Sequence, residues 1–357
     1  MADWHEPFEA SYRFMRVNRI TGYETEQIEG ILRGTLQVNQ DTATFESAIA
    51  STAARLDLGA DLVRGYLDAE FADGTVESVA LGTWLASIPS RDVDGPTEAC
   101  TAYLDGRLAE LQDDSFEAPV TIAAGANIVQ AASDIASGVG LAVNATPSDS
   151  ALGTAWTFGL SDGTEQDGGS KLDAVNSLLS LAGYGGATTD PMGTVVMRPY
   201  TDPASRTPVW TFEEGLGATF LAEAEEERDT RDVANVVLAI YEDDEATIIG
   251  QAEDDDPASP YSIPSIGRRK VAKYTYRSGA TQAEADAKAA ELLKTNQSVI
   301  WRVKLRHVHC PLKVGDVARV KWPSAGIDGT FAVRTQTVEI GSAGCMTTSE
   351  LRAFVRR

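Results

Sequence analysis

From Trp301 to Cys310 the chain alternates without a break. Trp301, Val303, Leu305 and His307 fall on one side of an extended strand, and Arg302, Lys304 and Arg306 on the other. A period of two with one apolar face is the pattern of a sheet half in contact with a core. The same pattern opens the chain, where Phe14, Arg16 and Asn18 alternate with Met15, Val17 and Arg19. Leu36-Gln37-Val38 follows Gly34, and Ala54, Leu56 and Leu58 alternate with Arg55 and Asp57 up to Gly59. Asp73-Gly74 lies between the runs 66–71 and 76–88, which predicts a hairpin closed by a tight primed turn. Residues 11–111 therefore read as a small antiparallel barrel or sandwich, closed by Thr97 to Leu111.

The pattern changes between Pro119 and Tyr200. Ala123-Ala124-Gly125-Ala126 and Ala131-Ala132 through Gly140 predict an Ala-rich helix leading into a strand at Leu141-Ala142-Val143. Leu172, Val175, Leu178, Leu179 and Ala182 share one helical face, and Gly183 stops that helix where a positive φ is easiest. A strand follows at 194–200, and the polar, Gly-rich stretch 153–169 reads as an exposed loop.

A third segment begins at Pro208-Val209-Trp210-Thr211-Phe212. It contains a strand at 236–241, a polyacidic loop, a Pro/Ser hinge and a second strand at 271–276. A helix follows, opened by a capping box of Thr281 and Glu284 and carried by Ala283, Ala285, Ala287, Ala289, Ala290, Leu292 and Leu293. Strands 301–310, 328–333 and 350–355 end the chain. The fold class expected is mainly β with an inserted α/β part (α+β). Two small barrel-like β domains are divided as 1–115 and as 208–246 with 297–357, around an α/β insertion at 116–207. Residues 247–296 form a connecting element of acidic loop, strand and helix.

The order of short motifs in this last region is the distinctive one. Asn235-Val236-Val237 precedes the acidic loop, then come Asp256-Pro257-Ala258-Ser259-Pro260-Tyr261-Ser262, Gly267-Arg268-Arg269-Lys270-Val271 and the helix 281–293. In this order the chain resembles the tail-hub (baseplate-hub) proteins of long-tailed bacteriophages. Further fragments in the family's order are Asp61-Leu62-Val63-Arg64-Gly65-Tyr66, Leu81-Gly82-Thr83-Trp84, Ala182-Gly183-Tyr184, Asp190-Pro191-Met192-Gly193 and Leu312-Lys313-Val314-Gly315-Asp316-Val317. The resemblance implies a homotrimer whose paired barrels make a ring of approximate six-fold symmetry at the lower end of the tail tube. It implies a distal tail protein ring above, the C-terminus of the tape-measure protein inside, and tip or fibre proteins below. It also implies manufacture in the host bacterial cytoplasm, a final place at the distal tail tip of the virion, and DNA that passes transiently without specific binding.

Composition narrows these expectations. The chain has 357 residues, 43% of them hydrophobic and 7% aromatic, enough for packed cores in two to four modules. No apolar run approaches the ~18 residues of a membrane helix, and Met1-Ala2-Asp3-Trp4-His5-Glu6 lacks a basic, apolar leader. Cys100, Cys310 and Cys345 are isolated thiols read as small core residues. The net charge of −23 is lopsided, with +10 in residues 268–357 and −33 in the rest. Such an acidic surface does not grip nucleic acid, but it suits an opening that a polyanion must cross without sticking. The expected lining comes from Glu242, Asp243, Asp244 and Glu245, from Glu253, Asp254, Asp255 and Asp256, or from 223–229. Arg302, Lys304 and Arg306 are expected at a protein interface.

Candidate chemistry is sparse. The acidic runs lack the alternating ligands, central Gly and terminal Glu of a calcium-binding EF-hand. His307 and His309 share a strand face, but Cys310 points away and no further ligands complete a tetrahedron. No G-x-S-x-G, H-E-x-x-H or phosphate-binding P-loop occurs. The chain stops at Phe354-Val355-Arg356-Arg357, where the last hub strand is expected, so no appended catalytic domain is expected. No metal, cofactor or catalytic residue is assigned, and the expected function is structural. The alternatives are a tail-tip enzyme cleaving cell-wall material through Asp/Glu residues and a calcium-dependent acidic adhesin.

Overall fold

The structure, a computed structural model, describes residues 3–39, 47–51, 58–94, 97–153, 155–159, 169–201, 203–229, 233–242, 247–276, 281–296, 299–341 and 345–355. The run at Ala54, Arg55, Leu56 and Asp57 lies outside them, as do Asp243, Asp244 and Glu245. The chain is mainly β with α+β character. Its internal contacts divide it into two units, residues 1–223 with 305–350, and residues 224–304 with 351–357.

In the first unit the alternating runs form β1 (Phe8–Val17), β2 (Glu24–Gln27), β3 (Ile31–Asn39), β4 (Ser47–Ser51), β5 (Leu62–Phe71), β6 (Val76–Asp94) and β7 (Thr97–Gly106). Neighbours in sheet order, β4-β7-β6-β5-β1-β2, pair antiparallel. A hairpin closes β5 on β6 at Asp73-Gly74 as predicted, but through a three-residue loop, 72–74, rather than a two-residue primed turn: the Gly74 amide donates to the Phe71 carbonyl and the Phe71 amide to the Thr75 carbonyl, both at 2.9 Å. Gly74 has φ +81°, and the Asp73 carboxylate accepts from the Thr75 amide at 2.8 Å. Gly65 and Gly82 face each other across β5 and β6 because the fully buried Trp84 ring lies against both. A side chain at Gly82 would run into that indole. Phe14, Leu36, Val63 and Leu104 complete this core.

The chain continues in the first unit with α1 (Ala109–Gln112), β8 (Val120–Ile122), α2 (Ile128–Gly138), β9 (Val143–Ala145), β10 (Trp156–Phe158), α3 (Lys171–Leu181), β11 (Thr188–Thr189) and β12 (Val195–Met197). Leu172, Val175, Leu178 and Leu179 of α3 are buried against Val129, Ala132 and Ala136 of α2, as the helical spacing predicts. Gly183 follows α3 with φ +72°. Two details differ from expectation. The stretch 153–169 holds the short strand β10, whose Phe158 is buried, so part of it belongs to the core rather than to a loop. Helix α2 starts only at Ile128, because the Asn127 side chain accepts from the Gln130 amide and caps it there.

The later strands are β13 (Trp210–Glu213), β14 (Phe220–Asp229), β15 (Val236–Glu242), β16 (Thr247–Glu253), then α4 (Ile263–Ile266), β17 (Val271–Tyr276), α5 (Gln282–Asn296), β18 (Val299–Val308), β19 (Val317–Trp322), β20 (Ile327–Ile340) and β21 (Met346–Val355). Strands β14, β18, β21 and β20 continue the large sheet, which joins the N-terminal strands where β20 pairs antiparallel with β3. Parallel β13 and antiparallel β20 flank β19. The second unit contains a separate three-stranded sheet in the order β16-β15-β17, with β15 antiparallel to β16 and parallel to β17. Residues 247–253 were expected in a loop. They form β16 because Ile248, Gly250 and Ala252 lie opposite Tyr241, Ala239 and Val237. Ala285, Ala289 and Leu293 bury one face of α5, and Gly250 admits the helix, since a Cβ there would overlap the Ala285 carbonyl. The Glu284 side chain, half of the expected capping box, lies outside the description.

Candidate functional site

Three motifs far apart in sequence meet at Arg64. Its guanidinium is buried on β5, donating from Nε to Thr83 Oγ1 at 2.8 Å, from Nη1 to Glu24 Oε1 at 3.0 Å and from Nη2 to the Met192 carbonyl at 3.1 Å. Thr83 Oγ1 donates in turn to the Pro191 carbonyl at 2.9 Å. The 190–193 turn is thereby fixed to strands β5 and β6 by a desolvated cation with every arm engaged, the arrangement in which Arg outperforms Lys. The turn is itself pre-organised. Asp190 Oδ1 accepts from the Met192 and Thr194 amides, both at 2.9 Å, and Gly193 sits at φ +83° with Arg107 and Thr83 packed against it. Burial pushes the Glu24 carboxyl up, but bonds from Tyr66 and Arg64 outweigh it and leave it below the ordinary carboxylate range. A second anchor lies nearby in sequence, where the buried Glu110 carboxylate takes Arg107 Nε at 2.7 Å and Arg19 Nη2 at 2.5 Å.

In the second unit the acidic-loop motifs converge on Asn235, which is wholly buried. Its Nδ2 donates to the carbonyls of Arg268 at 2.9 Å and Tyr261 at 3.2 Å, and its Oδ1 accepts from the Lys270 amide at 2.7 Å. The side chain thus pins the middle and the C-terminal end of the segment between β16 and β17, while the Asn235 carbonyl accepts from the Asp254 amide at its start, at 2.9 Å. Within that segment Asp254 is buried, accepting from Ser259 Oγ at 2.6 Å and from the Asp256 amide at 3.2 Å. Ser262, also buried, caps α4. Asp255 and Asp256 are exposed, whereas the half-buried Glu253 pairs with Arg269 at 2.6 Å. Glu242 ends β15, opposite Thr247.

The alternation in β18 is realised as predicted, with Trp301, Val303, Leu305 and His307 buried. Each cation of the other face has a carboxylate of its own. Arg302 reaches Glu227 at 2.9 Å, Lys304 reaches Glu225 at 3.4 Å and Arg306 reaches Glu339 at 2.8 Å. The 223–229 acid and the β18 bases thus meet across neighbouring strands, a pairing that sequence alone does not reveal.

His307 and His309 are interior residues. His307 Nε2 lies 2.8 Å from Ser349 Oγ and its Nδ1 2.8 Å from the Val308 carbonyl, while His309 Nδ1 lies 3.0 Å from Thr347 Oγ1. Burial lowers them to about 4 and about 3, and raises the Cys310 thiol to about 12, so these rings are neutral and this thiol inert near neutral pH. Cys100 and Cys345 are buried free thiols as well. Among the described residues no three of His, Cys, Asp and Glu gather as a metal would require, and no helix is long and apolar enough to cross a membrane.

Neither a protein-family model nor a curated protein sequence matches the chain. Solved structures do. A tail protein from Neisseria meningitidis superposes with a TM-score of 0.67 at 14% identity, covering 96% of both chains. The 43 kDa tail protein of prophage MuSo2 from Shewanella oneidensis gives 0.63 at 12% identity, over 96% of this chain and 98% of its own. A prophage tail protein from Listeria monocytogenes gives 0.55 at 9%, over 95% and 94%. The likeness at these identities lies in the fold, and it covers nearly the full length of each chain. The resemblance to phage tail-hub proteins drawn from the motif order therefore holds for the fold as well.

Proposed function

We propose that this chain is a structural, non-enzymatic component of a phage-type tail, forming as a homotrimer the hub ring that closes the distal end of the tube and lets DNA pass. The supporting observation is the likeness in fold to the Neisseria tail protein over 96% of both chains. In this reading the strands of 1–115 and of 208–246 with 297–357 supply two similar modules per chain, so three chains present six units to a six-fold tube. The distal tail ring lies above, the end of the tape-measure protein inside, and tip or fibre proteins below. The virion's distal tail tip is its location. The charged faces of β14 and β18, with Arg302, Lys304 and Arg306, belong to a protein interface.

The acidic excess lines the opening in this reading. Asp255 and Asp256 are the lead residues, because they are exposed on a loop that Asn235 and Asp254 hold rigid. Each Lys or Arg in such a bore would add a phosphate contact with counterion release, and carboxylates leave no bound state to escape. Negative-stain imaging of the purified protein and of tails labelled through this chain tests the reading. Rings of constant diameter and label at the tail tip are expected. Dispersed monomers with label elsewhere on the virion contradict it.

A further inference from the structure

We infer that the open edge of β14 on one copy pairs with the open edge of β17 on the next, so that the ring closes through main-chain hydrogen bonds between two different sheets. The inference rests on the trimeric reading above. A ring built by rotation needs two distinct complementary surfaces on every copy, since each contact is head to tail. The fold supplies two unlike edges. Strand β14 ends the order of the thirteen-stranded sheet, and β17 ends that of the three-stranded sheet. Among the described residues each therefore carries a row of backbone groups without a strand partner, which is a template for strand addition.

The side chains match in charge and in register. Residues 221–227 of β14 are all exposed, and the two-residue period places Leu221, Glu223, Glu225 and Glu227 on one face. On β17, Val271, Lys273 and Thr275 share one exposed face. Glu225 and Glu227 already hold Lys304 and Arg302. That leaves Glu223 as the carboxylate of this face without a cation, and Lys273 as a cation without a carboxylate, among the described residues. A parallel register that sets Glu223 opposite Lys273 also sets Leu221 opposite Val271, which are 40% and 48% exposed as large apolar groups. An antiparallel register that joins the charges separates the apolar pair. The apolar contact and the backbone bonds hold the edge pair together, and the ion pair selects its register.

Cysteine pairing tests this on the full chain, whose own three thiols are buried. Leu221→Cys and Val271→Cys chains are mixed and oxidised, with Leu221→Cys plus Thr275→Cys as the out-of-register control. Disulfide-linked pairs in the first mixture and few in the control are expected. Lys273→Glu should weaken trimer formation at least tenfold, and adding Glu223→Lys should restore it. Trimers that form normally without this cross-link overturn the edge pairing and leave the hub reading intact. Mass photometry of unmodified protein that shows monomer alone, together with tails lacking a ring of this chain, overturns both.

Discussion

Arg64 Nη2 donates to the Met192 carbonyl across 128 residues of sequence, at 3.1 Å. That bond, with Thr83 to Pro191, ties the 190–193 turn to strands β5 and β6. Arg64→Lys keeps the charge and loses the fork, and Arg64→Met loses both. Removing a buried charge from its partners costs on the order of 3 kcal/mol. The expected outcome is a lower denaturant midpoint for both variants, with amide exchange quickened at 188–194 and unchanged in helix α5 of the second unit. Uniform exchange along the chain would show that Arg64 does not anchor that turn.

Asn235 does the corresponding work in the second unit. Asn235→Ala leaves the Lys270 amide and two carbonyls without their bonds inside the protein, a loss of roughly 1–3 kcal/mol. Limited proteolysis should then cut first within 254–270. Asn235→Asp retains the acceptor for Lys270 but faces two carbonyls with no donor, so it should be no better tolerated than Ala.

Acid should unfold the first unit early. His307 and His309 sit at about 4 and about 3 in the fold, against an ordinary 6.5. Between these limits the unfolded chain binds more protons than the folded one, so stability falls as pH falls. The contribution is complete above pH 6.5, declines as pH falls from 6.5 to 4, and for His307 amounts to on the order of 3 kcal/mol at ~1.4 kcal/mol per unit. Urea midpoints at pH 7 and pH 4.5 measure it. His307→Gln, which keeps a polar contact to Ser349 but cannot titrate, should flatten the slope, and an unchanged slope would assign it to other groups.

Reversing Arg302, Lys304 and Arg306 to Glu should harm assembly more than folding. Their intrachain pairs are partly or largely exposed and worth about 0–1 kcal/mol each. A modest fall in melting temperature with a marked loss of tail incorporation is expected. A fall of tens of degrees would instead make these side chains part of the fold.

Asp255→Lys with Asp256→Lys should slow DNA ejection from assembled particles without reducing particle yield. Asp254 is excluded from this test because its carboxylate is committed to Ser259 inside the loop. Unchanged ejection kinetics would remove this loop from the bore.

Where the fold was legible, one periodicity decided it. The alternation at 301–307, the apolar face of 172–179 and the hairpin at Asp73-Gly74 each depend on neighbours within a few residues, and each is realised, though the hairpin closes through three residues rather than a primed two. The chain hides what depends on distant partners. Strand β16 was obscured by its flanking acid and became a strand because β15 lies beside it. Asp254 reads as one more solvated carboxylate until Ser259 and Asn235 fold around it. The motifs around Arg64, Thr83 and Met192 carried the family resemblance, yet nothing in any one of them says that the three touch. Ser170 with Asp173 forms the capping box of α3, a signal carried by residues only three apart and so legible in the sequence.

Electron cryomicroscopy of the tail tip, at a resolution that traces β-strands, decides whether this chain forms a three-copy ring at the end of a tail. Three copies of this chain are expected around the axis, two β modules from each forming a ring of near six-fold symmetry, with exposed carboxylates toward an open channel. Six copies, a position away from the axis, or a channel lined by Arg and Lys would contradict it.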